Sequence, residues 1–205
     1  MPRTAPNYPA KERILEAAMT LFAQRGYEGT SFNDITELCG AKRSLVLYHY
    51  SSKDELWRRA VGQVCQRFND EMERRLEWDD AASDEDKMRT SMAAFIDTLV
   101  AVPEYGQIFL REGTSTGPRL DWMAQNFAPP ATLSIRFRDS NFSRRVKRSV
   151  LRDVITATCL GITALGPLLD VSLAAALHRK SAGVYPLTRK RRDEVISLMM
   201  RLAMD

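Results

Sequence analysis

The run from Thr30 to Lys53 constrains this chain more than any other stretch. Phe32, Ile35 and Leu38 recur at helical spacing behind Ser31 and Asp34, two residues suited to capping a helix N-terminus. Gly40 follows, where the backbone must turn without Cβ strain. A second short segment, roughly Arg43 to Tyr50, carries basic and aromatic residues and stops before Ser51-Ser52-Lys53-Asp54-Glu55. There Ser52 and Glu55 have the capping-box spacing that opens another helix. A helix, a glycine turn and a second short helix make a helix-turn-helix, the unit that lays its second helix into the major groove of duplex DNA.

The flanking sequence is helical throughout. Ile14, Ala18, Leu21 and Phe22 predict a first helix from about Ala10 to Arg25, stopped by Gly26. Leu56, Ala60, Val64, Phe68 and Met72 predict a long fourth helix reaching about Glu77. An acidic, polar break over 79–86 contains Ser83, a cap for the next helix, over Met88 to Val102, which Pro103 closes. Shorter helices are expected at Glu104 to Arg111 and Arg119 to Asn126, with helical character resuming near Ala131. The last two are placed at Phe142 to Arg179 and Thr188 to Met204. No sustained period-two pattern and no internal repeat occur, so the fold class is all-α. The expected division is a loose proline-containing arm over 1–9, a three-helix head over 10–53 and a larger helical body over 54–205.

Composition excludes several classes. Three single cysteines in 205 residues, Cys39, Cys65 and Cys159, do not make a disulfide framework and suit a reducing cytoplasm. The start lacks the apolar stretch of a secretory signal. The most apolar region, Val150 to Leu177, is interrupted by Arg152, Asp153, Asp170 and Gly166-Pro167, which favours a buried helix pair over a membrane span. The formal charge of +4 permits nucleic-acid binding without demanding it. With His49 and His178 as the two histidines, a metal site is not expected, and no cofactor is implied. Gly113-Thr114-Ser115-Thr116-Gly117-Pro118 lacks both the Gly-Lys-Ser/Thr ending and the preceding strand of a phosphate loop, so an enzyme is not expected.

From Lys11 to Leu56 the chain resembles the tetracycline-repressor (TetR) family. The resemblance rests on an amphipathic helix, Gly26-Tyr27-Glu28-Gly29-Thr30-Ser31, Ile35-Thr36, Gly40, and Tyr48-His49-Tyr50-Ser51-Ser52-Lys53-Asp54-Glu55-Leu56. It implies a homodimeric, sequence-specific DNA-binding regulator, a repressor released from a palindromic operator by a small-molecule effector. The other reading is a DNA-binding regulator controlled by a protein partner. Lys42, Arg43, Ser44 and Leu45 open the recognition helix. Arg43 suits guanine O6 and N7, Ser44 a base or phosphate, and Leu45 a thymine methyl. Thr30, Ser31, Tyr48, His49 and Lys53 fit the family's phosphate-contacting positions, and Tyr50 its buried phenylalanine. Leu47 departs from the pattern, standing where the family often has tyrosine or another polar group.

In the body, Val150, Val154, Ala157, Gly161, Ala164 and Leu168 repeat at spacings of four and three, a helix-packing seam. Val195, Leu198, Met199 and Leu202 give the last helix a matching face. The seam serves either an intrachain core or, as the resemblance implies, a four-helix interface between two subunits. Phe95, Leu99, Tyr105, Phe109, Trp122, Met123 and Phe127 supply large side chains for a core or an effector cavity, with Phe95, Tyr105, Phe109, Trp122 and Met123 the ligand candidates. Arg111, with Glu112, is either a polar anchor for that ligand or a solvated helix end. By resemblance, effector binding tilts the fourth helix and changes the spacing of the two recognition helices. The basic run Arg136, Arg138, Arg144, Arg145, Lys147, Arg148 and Arg152 is a solvated face or a surface for an anionic partner.

Overall fold

A computed structural model of the chain describes residues 9–77, 81–127, 138–139, 143–144, 149–176 and 188–204. Residues 1–8 of the expected arm, the helix resuming near Ala131 and most of the basic run therefore lie outside the described residues. Ten helices are described: α1 (Ala10–Arg25), α2 (Phe32–Cys39), α3 (Arg43–His49), α4 (Lys53–Arg75), α5 (Asp84–Ala101), α6 (Pro103–Gly113), α7 (Pro118–Asn126), α8 (Ser149–Ala164), α9 (Gly166–Ala176) and α10 (Arg189–Met204).

Local chemistry accounts for most boundaries. Gly26 (φ 73°) and Gly40 (φ 67°) end α1 and α2 in the left-handed region, where a Cβ would be strained. Ser31 and Asp34 form a reciprocal capping box on α2. At α4 the Ser52 hydroxyl accepts the Glu55 N–H (3.1 Å), but the Glu55 carboxylate accepts from Ser51, one residue further out than the box spacing implied. Ser83 accepts the Asp86 N–H at the start of α5. The single helix expected over Phe142 to Arg179 is interrupted at Leu165, between α8 and α9. Pro167, in the first turn beyond, supplies no N–H to the helical ladder.

The helix α4 joins the two halves. It packs on α1 in the head and on α5 and α6 in the body, while α6 also lies against α1. Leu56, Trp57, Ala60, Val61, Val64, Cys65, Phe68 and Met72 are all buried along it, a stripe of period 3.6. Phe68 stacks on Tyr105 (3.9 Å between centroids) and meets Phe95 edge-on at 5.7 Å, tying α4 to α6 and α5. In turn α8 packs on α5 and α6, and α10 on α5. One core therefore runs from Ile14 in the head to Met200 in the body.

Burial pushes the thiols of Cys65 and Cys159 up to about 12 and raises the Tyr105 hydroxyl. All three are protonated core groups at neutral pH. Among the described residues no helix is long and apolar enough to cross a membrane.

Candidate nucleic-acid interface

At ~100° per residue, Val46 and Tyr50 fall on the inward side of the α3 segment, and both are buried. The Tyr50 hydroxyl donates to the Lys11 carbonyl. The outward arc is Arg43, Leu47, Ser44 and Tyr48, all exposed, with Lys42 exposed at the tip. Tyr48 is 81% exposed and meets His49 edge-on at 5.1 Å. The half-buried His49 lies outside the arc, ~100° around the helix from Tyr48.

Arg43 is held in place. Its guanidinium donates to Asn33 Oδ1 at 2.7 Å and lies over the Phe32 ring at 5.8 Å. Both partners come from the first turn of α2, so the two helices of the motif orient one side chain together. Asn33 carried no signal in the sequence, because its role depends on the angle at which α2 crosses α3.

Two DNA-contact expectations change. Thr30 is 1% exposed, and its hydroxyl donates to the Gly26 carbonyl (2.8 Å) and the Leu21 carbonyl (3.2 Å). It caps the end of α1 and does not face a phosphate. Leu45 is half-buried against the core, at the edge of the outward arc, so Leu47 takes its place as the outward apolar residue. Thr30→Val is expected to lower stability by about 1–2 kcal/mol, as buried carbonyls lose a donor, and to leave the DNA affinity of the folded protein unchanged. Urea unfolding and a binding titration read the two effects separately.

Ser31 is exposed, but its N–H and hydroxyl are both engaged with Asp34. Those Ser31 bonds first, and Arg25 at 2.9 Å after them, hold the Asp34 carboxyl below the usual carboxylate range. The capping contribution is complete above the ordinary carboxylate pKa and fades as pH falls through the lowered one. The Lys53 ammonium lies 4.2 Å from the centre of the Tyr27 ring, at the junction of head and α4.

Two arginines of α6 and α7 reach the head. Arg111 was expected as a ligand anchor, but its guanidinium donates to the carbonyls of Ala23 (3.1 Å) and Gln24 (2.6 Å), at the C-terminal end of α1. Those carbonyls carry the negative end of the helix dipole, which explains the attraction. Arg119 pairs with the buried Glu112 (3.2 Å) and with Glu28 (3.3 Å), and covers the Tyr27 ring at 4.1 Å. Glu112 thus faces a cation within the chain.

The ligand candidates divide by burial. Phe95, Tyr105 and Met123 are buried in the core, whereas Phe109 and Trp122 are half-buried against it. Tyr105 stacks on Phe109 (4.2 Å), and Phe127 meets both Phe109 and Trp122. Trp122 reaches Trp57 of α4 at 5.5 Å and lies under Arg58. The aromatic set is therefore continuous from α6 and α7 to the helix that joins the head.

The seam residues also divide. Val154, Ala157, Leu168, Leu198 and Leu202 are exposed, Gly161 and Ala164 are half-buried, and a Cβ on Gly161 would meet nothing. Met199 is buried in the chain's own core and Val195 packs against it, so these two leave the expected outer face. Leu198 and Leu202 form one stripe and Val195 and Met199 the next, because residues three apart are offset by ~60° around a helix. Leu165, Leu169 and Val171 join the outer face unannounced. The side chain of Val150 is outside those described.

The sequence profile of the bacterial regulatory proteins, tetR family, matches residues 14–60. The likeness to the tetR family is thus one of the head. The biofilm operon icaADBC HTH-type negative transcriptional regulator of Staphylococcus epidermidis is 37% identical over 60 residues, 29% of this chain and 32% of that protein. The counterpart in Staphylococcus aureus is 35% identical over 51 residues, 25% of this chain and 27% of its own. The match thus spans under a third of either relative's length. The whole fold resembles that of PfmR, a TetR family transcriptional regulator from Thermus thermophilus (TM-score 0.58, 18% identity, 98% of this chain and 96% of that one). It is also similar to a TetR-family transcriptional regulator from Haemophilus influenzae (TM-score 0.56, 15% identity, 94% of each chain). A head that matches the tetR family thus sits on a body whose likeness to solved structures is one of fold.

Proposed function

We propose that this chain is a homodimeric, cytoplasmic transcriptional repressor that binds a palindromic operator and is released by a small-molecule effector. The observation that carries the reading is the outward arc of α3, Arg43, Ser44, Leu47 and Tyr48, presented beside Lys42 on a tetR-family head. The head comprises residues 10–53 and the body 54–205. Lys53 is the first residue of α4, so the boundary is a shared helix start and not a linker. Arg43 reads a guanine, held for it by Asn33. Ser44, Tyr48, His49 and Lys53 set the register on the phosphates, whereas the donors of Ser31 are taken by its cap with Asp34. That the relatives include a negative transcriptional regulator favours repression.

Two features support the remaining parts. The exposed apolar face over α8, α9 and α10 is a surface for a second copy, and two-fold symmetry suits two half-sites. The half-buried Phe109, Trp122 and Phe127 form the effector-facing side of the aromatic set. An apolar ligand there would shift Trp122 against Trp57 and so bias α4, a coupling of ~1–3 kcal/mol.

Selection of bound sequences from random duplex DNA, by purified protein at stated salt, tests the reading. An enriched palindrome is the expected result. A folded, dimeric protein that enriches nothing, with or without candidate effectors, would overturn it. On the selected site, Arg43→Ala is expected to cost ~1–3 kcal/mol and relax the preference at one base pair. Lys53→Ala should weaken binding to all sequences alike and reduce the salt slope by ~1.

A further inference from the structure

A leucine in the middle of a DNA-facing arc needs an apolar partner. Around α3, Leu47 falls between Arg43 and Ser44, with Tyr48 beyond, so it occupies the interior of the exposed arc and not its rim. Its side chain is 44% exposed, whereas Val46 beside it is fully buried and Leu45 packs against the core. Arg43 flanks it on one side and Ser44 on the other, and both are exposed. Residues so placed meet the edges of the bases in the major groove. Only one group on those edges is a hydrocarbon, the C5-methyl of thymine.

We propose that Leu47 is a specificity-determining residue that reads a thymine methyl in each half-site, a contact resting on the DNA-binding role proposed above. Leu47 lies four residues along α3 from Arg43, ~6 Å, about the rise of two base pairs. The thymine it reads therefore falls within roughly two base pairs of the Arg43 contact. Tyr48, on the far side of the arc, has its hydroxyl available for the phosphate, and Leu47 supplies no polar contact. The assignment gives the operator an A·T requirement that the basic residues alone do not impose.

Single thymine-to-deoxyuridine replacements across the selected operator test this, since each removes one methyl and keeps every hydrogen-bonding group. One position per half-site is expected to lower wild-type affinity about fourfold, the effect of one buried methyl-sized group at ~0.8 kcal/mol. Changing both half-sites should give roughly the square of that factor, as the sites are independent. Leu47→Ala, a surface change that keeps the fold by circular dichroism, is expected to bind the thymine and uracil operators equally. Leu45→Ala should keep the discrimination. Wild-type indifference to every replacement, with the operator still bound, would overturn the role of Leu47 and leave the regulator reading intact. Discrimination that survives in Leu47→Ala, or a selected site without thymine, would overturn it equally. Failure to bind any duplex would remove both readings.

Discussion

Phe68→Ala is expected to lower the free energy of unfolding by ~3–5 kcal/mol. Phe68 is 1% exposed at the place where α4, α5 and α6 meet, stacked on Tyr105 and edge-on to Phe95. Truncation removes the transfer energy of a full aromatic side chain and leaves a cavity between rings that cannot close on it. It also removes two aromatic pairs, each worth ~0.5–1.5 kcal/mol beyond the area they bury. Because α4 belongs to both halves, head and body should lose stability together in one transition. Urea unfolding at a fixed protein concentration measures this, since the proposed dimerisation would make the midpoint concentration-dependent. A loss below ~1 kcal/mol, within the range of ordinary surface changes, would show that the ring stack is not what joins the halves.

Leu198→Asp combined with Leu202→Asp is expected to convert the proposed dimer to a monomer at micromolar concentration. Both leucines are more than half exposed, one turn apart on the outer face of α10. Two carboxylates there would have to be buried unpaired for the subunits to meet. The monomer should keep its helical content, because the inner face of α10, Ile196, Met199 and Met200, is untouched. Its operator affinity should fall ~10²–10⁴-fold, since the second head no longer binds as part of the same particle. Sedimentation and operator titration together check this. A variant that stays dimeric would move the interface off α10, and a monomer with unchanged affinity would show that one head suffices.

Much of the head was legible as sequence. Gly26, Gly40, Ser31 and Ser52 are residues whose effect is local, and each stands at the boundary it was expected to mark. Tyr50 was read as core from its place in the tetR-family pattern, and it is buried. Thr30 misled because a threonine beside a helix start has two uses. The choice between capping the previous helix and facing a phosphate depends on how the chain folds back. Leu45 and Leu47 could not be ranked by composition, being two leucines two residues apart in a short helix. The orientation of α3 on the core separates them.

In the body the limit is different. Arg111 and Glu112 looked like polar groups at the end of an apolar helix, and either a ligand or solvent could have met them. The structure gives Arg111 to the end of α1 and Glu112 to Arg119. Neither partner is near in sequence, so no spacing rule could have named it.

The sequence by itself determined the helices, their caps and the motif, because propensity, hydrophobic period and turn chemistry act over a few residues. It also carried the family of the head, since its motif is written in consecutive positions. Only the tertiary structure decided which leucine faces outward, what holds Arg43, and which stripe of α10 is left exposed. Those outcomes depend on the crossing angles of packed helices, where a ~60° difference around one axis separates core from surface.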